Sequence, residues 1–344
     1  MPVLPPIEWP TQDEISQVQT TLWSATPENF MGLKMSPMNV SDYMTSVEVV
    51  KWDEYGTVSG MAAPYKYGAP VRRANLPTVK TRTEVSRPFR ETVTLDEESL
   101  LKLRGLGAES RMRAAKGLII KAMSTMYIRH KTRQEWMFWS ACRGSVAVAD
   151  DGIQWSVSYG TPSATTVGTL WSVTASANPV KDIQDECLKF RGVGGGKPTL
   201  YINQKVANYL SQNAAVRALV TGSGYVGQIG NEQITGLLVT LIGGLAGIVI
   251  YDEGYDASGT FTPFIADTEA FLIAPGLNGE KTMEFASTPC ILNGGIDNPR
   301  PGYYAFIDDD DLTSGVPKVD CITGWTGIPV IYHPSRIRRM VVAS

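Results

Sequence analysis

Chemistry needs side chains that can hold a proton, a metal or a nucleophile, and this chain has few of them in useful places. Its 344 residues include two histidines, His130 and His333, and four cysteines, at 142, 187, 290 and 321. No two cysteines form a CxxC, and two distant histidines leave no zinc-ligand spacing. No GxSxG is present, and nothing pairs a Ser or Cys with a His. The expectation is no enzyme: no catalytic residue, no metal site, no cofactor. A disulfide framework is not expected in a chain this long, so the cysteines read as buried free thiols of a reducing cytoplasm.

Three near-motifs narrow the reading further. GVGGGKP at 192–198 fails the P-loop spacing, because Arg191 stands five residues before Gly196 and Pro198 follows Lys197. It reads as a helix-to-strand turn. GSGYVG at 222–227 matches GxGxxG, and Asp252 is tolerably placed as its acid. A dinucleotide fold needs a strand before the motif and a helix after it. Here the preceding segment reads as helix and the following one as a poor helix. Asp308, Asp309, Asp310 and Asp311 are contiguous, whereas a calcium loop wants alternating acids and a central glycine. They read as a solvated or interface turn.

Lys and Arg number 31 against 34 Asp and Glu, a formal charge of -3, which gives no global case for nucleic-acid binding. The distribution says more: residues 1–71 carry -5, 72–143 carry +9, 144–320 carry -10 and 321–344 carry +3. Such segregation lets a basic stretch of one copy meet an acidic stretch of another, or lets one face meet an anion. Apolar residues at 43% and charged residues at 19% exclude disorder over the whole length. The stretch 234–251 is uncharged, but its four glycines read better as two strands around a Gly243–Gly244 turn than as a membrane span. The first residues lack a basic region before an apolar run, so no signal peptide is expected.

These residues have to be positioned by the following elements. Residues 1–45 are Pro-rich and read as an arm, with one short helix near Asp13–Thr21. Residues 46–55 read as a strand. Residues 78–94 alternate, with Val79, Thr81, Thr83 and Val85 on one side and Lys80, Arg82, Glu84 and Ser86 on the other. Together they form a long hairpin with a polar tip, which needs a large domain or another subunit to rest on. From Ala108 a long helix runs, with Met112, Ala115, Ile119, Ala122 and Met126 at steps of three and four. Its polar face carries Arg111, Arg113, Lys116, Lys121, Arg129, Lys131 and Arg133. A hairpin around Asp151–Gly152, an N-capped helix over 178–192, the strand TLYIN and a single helix over 204–220 follow. Short strands dominate from 261 onward.

Taken in order, the chain resembles the major capsid proteins of lambda-like tailed phages, the capsid protein E family. The segment MAAPYKYGAPVRRANLPTVKTRTEVSRP (61–88) is similar to the family's extended loop. The segment RMRAAKGLIIKAMSTMYIRHKTRQEWMFWSACRG (111–144) is similar to its spine helix. The block 169–220 is the most specific: a Trp, a spacer, Asn-Pro, a helix, a strand and a helix recur in that order. AFLIAPG (270–276) and the closing RRMVVAS match more loosely.

The resemblance implies an α+β Hong Kong 97-like fold. Its parts would be an N-terminal arm (1–45), an extended loop (46–94), a peripheral domain with the spine helix (95–195 and 277–322) and an axial domain (196–276 and 323–344). It implies a structural protein that assembles with itself, as hexamers and pentamers, into the icosahedral head of a tailed double-stranded DNA phage. Partners would be packaged DNA, bound without sequence preference, and decoration, scaffolding and portal proteins; no membrane is involved. The place would be the virion capsid, assembled in the bacterial cytoplasm. Arg111, Arg113, Lys116, Lys121, Arg129, Lys131 and Arg133 would then face the genome. Asp308–Asp311 would meet Arg72 and Arg73 of a neighbouring copy. Some relatives crosslink through a Lys in the extended loop and a distant Asn; Lys66 and Asn75 carry no mark of reactivity, so no crosslink is expected. The alternatives are an encapsulin-like compartment shell and, from another class, a nucleotide-binding enzyme using Gly222–Gly227.

Overall fold

The computed structural model describes residues 10–24, 27, 29–35, 38–39, 49–56, 78–95, 98, 108–150, 153–193, 195–222, 230–276, 280–292, 299–308 and 319–344. The chain divides into two compact units. One comprises Met1–Val50, Glu84–Glu135 and Phe285–Ile328; the other comprises Lys51–Thr83, Trp136–Glu284 and Pro329–Ser344.

The first unit begins with helix α1 (Gln12–Ser24), one turn longer than the sequence suggested. Thr11 and Glu14 start it as a capping box: each side chain accepts the other's backbone N–H, at 3.0 and 3.3 Å. A short α2 (Met31–Met35) follows. The unit's sheet joins β1 (Met38–Asn39), β4 (Arg87–Leu95), β13 (Met283–Ser287), β14 (Tyr303–Asp308) and β15 (Val319–Ile331). Strand β15 is its axis: β4 pairs antiparallel with it from Leu95↔Val319 to Arg87↔Gly327, and β14 from Asp308↔Asp320 to Tyr303↔Trp325. Gly324 lies between them, and a Cβ there would stand 2.3 Å from the Tyr304 hydroxyl and 2.8 Å from the Phe89 carbonyl. Beside it Trp325 stacks on Phe89 at 4.7 Å.

Helix α3 (Ala108–Arg143) supplies the apolar face that covers this sheet. Ala115, Ile119, Ala122 and Met126 are all buried, as their three-and-four spacing requires. They pack with Ile15 of α1, Leu95, Val319 and Cys321.

The second unit is organised on a mixed sheet in the order β7-β16-β12-β8-β9. Its strands are β7 (Thr165–Thr166), β8 (Thr199–Ile202), β9 (Gly247–Ile250), β12 (Glu269–Ile273) and β16 (Ile337–Val341). Strands β8 and β9 run parallel, and β12 runs antiparallel to both β8 and β16. The helices of this unit are α4 (Pro179–Leu188), α5 (Gln204–Gln212), α6 (Ala214–Gly222) and α7 (Asn231–Ile242). One core joins Trp171, Ile183, Leu200, Leu210, Leu238, Leu272 and Met340. Helix α4 starts as expected, with the Asn178 side chain accepting the Lys181 N–H, and Gly192 then turns the chain at φ 80°.

Two sequence expectations fail in this unit. The first half of 234–251 is the helix α7, not a strand. Ile234, Leu238 and Ile242 recur every fourth residue and are all buried, while Gly236 faces open space. A glycine there costs helix propensity without disturbing packing. The Gly243 end was rightly a turn, at φ 62°, but as the left-handed stop of a helix. Among the described residues no helix is long and apolar enough to cross a membrane. The expected single helix over 204–220 is two, α5 and α6. Buried Asn213 breaks it: extended at ψ 131°, it takes the N–H groups of Ala215 and Val216 and donates to the carbonyls of Thr174 and Ala177.

Strands β2 (Val49–Tyr55) and β3 (Val79–Val85) form the paired base of the expected long hairpin, whose tip lies outside the described residues; the strand expected over 78–94 breaks at Ser86, and its second half, β4, pairs with β15 instead. Two further hairpins are β5 (Ser145–Asp150) with β6 (Ile153–Ser158), as read from Asp151–Gly152, and β10 (Gly254–Ala257) with β11 (Thr260–Pro263).

Candidate nucleic-acid interface and subunit surfaces

Helix α3 brings the basic residues together only in part. Up to Arg129 one face stays open, and Arg113, Lys121 and Arg129 are exposed on it. Arg129 also reaches Glu91 on β4 at 3.0 Å. Lys116 is engaged by Glu14 of α1 at 2.7 Å, and this bond draws the Glu14 carboxyl below its ordinary pKa. From His130 onward the helix is covered on nearly all sides, and the expectation of one continuous basic face ends there. Lys131 is buried, its amine 5.1 Å above the Tyr303 ring and 5.7 Å from that of Tyr127. Burial lowers its pKa to about 8. Arg133 is half-buried over Phe89 at 5.6 Å. Arg111 lies within α3, and its side chain is outside the described residues.

The sequence pattern missed two members of the open face. Ile120 and Ile128, 46% and 52% exposed, sit among the cations. Their helical phase placed them there, but a search for charge passed over them. The pattern also missed Glu135, which is fully buried and receives the N–H groups of Gly32 and Leu33 at 2.8 and 2.9 Å.

The alternation in β3 holds, and the covered side is the charged one. Arg82 pairs with Glu54 of β2 at 2.7 Å, both largely buried. Val79 and Val85 are 50% and 39% exposed.

Asp308 ends β14 exposed, in register with Asp320 across the ladder. Asp309, Asp310, Asp311, Arg72 and Arg73 lie outside the described residues, as do Lys66 and Asn75.

The remaining motifs settle into structural roles. GVGGGKP is a turn: the Gly196 N–H donates to the Pro275 carbonyl at 3.1 Å, and Gly195 bridges Gly276. Helix α6 ends at Gly222, so no strand feeds GSGYVG, as expected; the helix that follows, α7, is a sound one, contrary to the sequence reading. Asp252 receives the Gln204 N–H at 3.4 Å, near the start of α5. His130 is buried against the Thr323 hydroxyl at 3.0 Å, and burial lowers its pKa to about 4. His333 is also lowered, mainly by burial. The four cysteines are free; Cys142 and Cys321 are buried, Cys187 and Cys290 only partly. Burial lifts the thiols of Cys187 and Cys321 to about 11, which makes them poor nucleophiles. Among the described residues no group of acids, His and Cys could hold a metal ion.

Three comparisons with known proteins bear on this arrangement. A family model described as phage major capsid protein E matches residues 37–316. Among solved structures, the candidate capsid protein of an E. coli CFT073 prophage is similar with a TM-score of 0.64 at 14% identity, covering 98% of this chain and 100% of its own. A phage-related protein from Bordetella bronchiseptica RB50 follows at 0.55 and 11% identity, covering 95% and 97%. The capsid of an empty GTA particle gives 0.51 at 10%, covering 93% and 92%. No curated protein matches in sequence.

Proposed function

The chain belongs to the phage major capsid protein E family, and on that premise we propose how its surfaces build a shell. The fold is α+β and Hong Kong 97-like, and the role is structural: a capsid subunit that assembles with copies of itself into an icosahedral shell. The observation that carries this is the family match over 37–316, on a chain whose fold aligns along nearly its whole length with a prophage capsid protein.

Hexamers and pentamers are the assembly units of this reading. The arm and the extended loop overlap neighbouring copies. The uncovered Val79 and Val85 of β3 support this, since a two-stranded ribbon with an open β-branched face gains most from lying on another subunit. We assign 95–195 and 277–322 to a peripheral part and 196–276 and 323–344 to an axial part. Residues 167–190 go with the axial part instead, because they share its core. Among the described side chains, Arg113, Lys121 and Arg129 are the cations of α3 exposed enough to meet packaged DNA, by sequence-independent phosphate contacts. The segregated charge supports contact between the acidic turn at 308–311 and Arg72 and Arg73 of a neighbour. Assembly takes place in the bacterial cytoplasm, with portal, scaffolding and decoration proteins as partners.

Negative-stain electron microscopy of the purified chain at two salt concentrations tests the reading. Closed shells, tubes or five- and six-fold rings are expected; a monomer under every condition, with and without co-expressed scaffold, would overturn self-assembly. Nuclease-protected DNA inside native particles separates a phage head from a cargo compartment of the same fold.

A further inference from the structure

The second unit carries a projecting aromatic residue and a cleft, at opposite ends of one strand. The aromatic residue is Phe261 of the β10–β11 hairpin, 62% exposed. It is not a loose side chain. Its ring lies across Gly254, where a Cβ would stand 2.7 Å from the ring's Cζ, so the absence of a side chain at 254 seats it. The tip is fixed as well: Ser258 and Gly259 both take positive φ, at 55° and 87°, and the Asp256 carboxylate receives the Gly259 N–H. A held ring loses little freedom when it is buried by a partner.

The cleft has a volume of about 640 Å³. Its lining includes Phe190, Pro198 and Ile242, with Leu188, 47% exposed, at its lip. Arg191 and Lys197, both exposed, stand on its rim. Asp185 is an acid on the same lining.

Topology keeps the two apart within one copy. Lys197 and Pro198 immediately precede β8, and Gly243 and Gly244 shortly precede β9, so the cleft opens where these parallel strands begin. The hairpin starts at Gly254, past the other end of β9. Charge separates them in the complementary sense. Residues 252–263 contain Asp252, Glu253 and Asp256 and no Lys or Arg, while the rim carries Arg191 and Lys197. Two different, complementary patches at opposite ends make a head-to-tail contact, which closes into a ring when the rotation between copies allows.

We propose that the β10–β11 hairpin of one copy seats Phe261 in the α4–α7 cleft of the next, and that this contact links neighbours around a ring of copies. The inference rests on the capsid reading and names the contact within it. An acidic hairpin placed on a basic rim steers the approach, and the ring supplies the apolar anchor.

The test pairs two exposed positions, Phe261→Cys and Leu188→Cys, in the full chain carrying Cys187→Ser, which removes the native thiol from the cleft lining. Particles of the double variant, oxidised on the grid-checked preparation, should give a ladder of covalent oligomers ending at five and six copies, reversed by dithiothreitol. Neither single variant should give it. Phe261→Asp should lower particle yield at least about tenfold while leaving the subunit's melting temperature unchanged, since the side chain is exposed in the free chain. Intact particles without a ladder, and with undiminished yield from Phe261→Asp, would overturn this contact and leave the capsid reading standing. Absence of particles from the wild-type chain, together with absence of a ladder in concentrated solution, would overturn both.

Discussion

Glu135 is joined to Gly32 by a hydrogen bond of 2.8 Å, and through its second oxygen to the N–H of Leu33 at 2.9 Å. A carboxylate with no exposed surface thus holds two backbone donors at the start of α2, where a helix leaves its first N–H groups unpaired. The arm is bound to α3 by a clamp on its backbone, which no hydrophobic pattern in the arm reveals.

Glu135→Ala is expected to destabilise the chain by about 1.5–3 kcal/mol, the range for hydrogen bonds to a charged group. The loss should appear first as protease cleavage near residues 27–40, at protease concentrations that leave the wild-type arm intact. Wild-type resistance in the variant would show that α2 is held by its apolar side chains alone.

Lys131 offers the opposite case, a buried cation whose charge is costly. Its folded pKa, about 8, lies below the ordinary 10.5. A depressed lysine contributes stability that is present above pH 10.5 and is lost as pH falls toward 8. At pH 7 the full cost applies, ~3 kcal/mol at 1.36 kcal/mol per pKa unit, against ring contacts of ~0.5–1 kcal/mol each. Lys131→Met should therefore raise stability at pH 7 by about 1–2 kcal/mol, with the gain vanishing by pH 10.5. Denaturant melts at pH 7 and 10 would decide it.

His130 should govern the acid side. With a folded pKa of about 4 against 6.5, its contribution is complete above pH 6.5 and is lost as pH falls toward 4. The difference between wild type and His130→Gln, measured by urea unfolding, should narrow across that window. A constant difference would mean that the histidine titrates alike in the folded and unfolded states.

Much of this fold is written in local pattern. The helical spacing from Ala115 to Met126, the Asn178 cap and the Asp151–Gly152 hairpin each depend on neighbours in sequence, and each stands where the pattern puts it. What fails depends on tertiary partners. Nothing near Asn213 in sequence says that the carbonyls of Thr174 and Ala177 will capture its side chain and stop a helix. The uncharged run 234–251 is ambiguous by composition, and the core contacts of Ile234 and Leu238 select helix. The basic face was legible as charge, but Lys131 shares the phase of Arg113 and differs only in what covers it.

Two glycines make a contrast that tests packing directly. Gly324 is enclosed by β14 and β4, so Gly324→Val should abolish folding of the full chain or cost more than about 4 kcal/mol, the range of severe overpacking and strand disruption. Gly236 in α7 meets nothing within 4 Å, and Gly236→Ala should stabilise by about 0.5–1 kcal/mol. Circular dichroism melts read both; equal effects would show that the two sites share an environment.

The open face of α3 makes the last prediction, because it carries two kinds of residue with two different partners. If Arg113, Lys121 and Arg129 touch phosphates, replacing all three by Gln should lower the slope of log affinity against log salt by about 2–3, near 0.9 for each lost contact. Nonspecific DNA binding to disassembled subunits or open shells measures it. Ile120 and Ile128 on the same face contribute nothing to that slope, so Ile120→Ser with Ile128→Ser should leave it unchanged. A fall in particle yield from the serine pair alone would show that copies of the chain pack on this helix face between the cations. An unchanged slope in the glutamine triple would remove α3 from the DNA interface and leave it as a subunit contact.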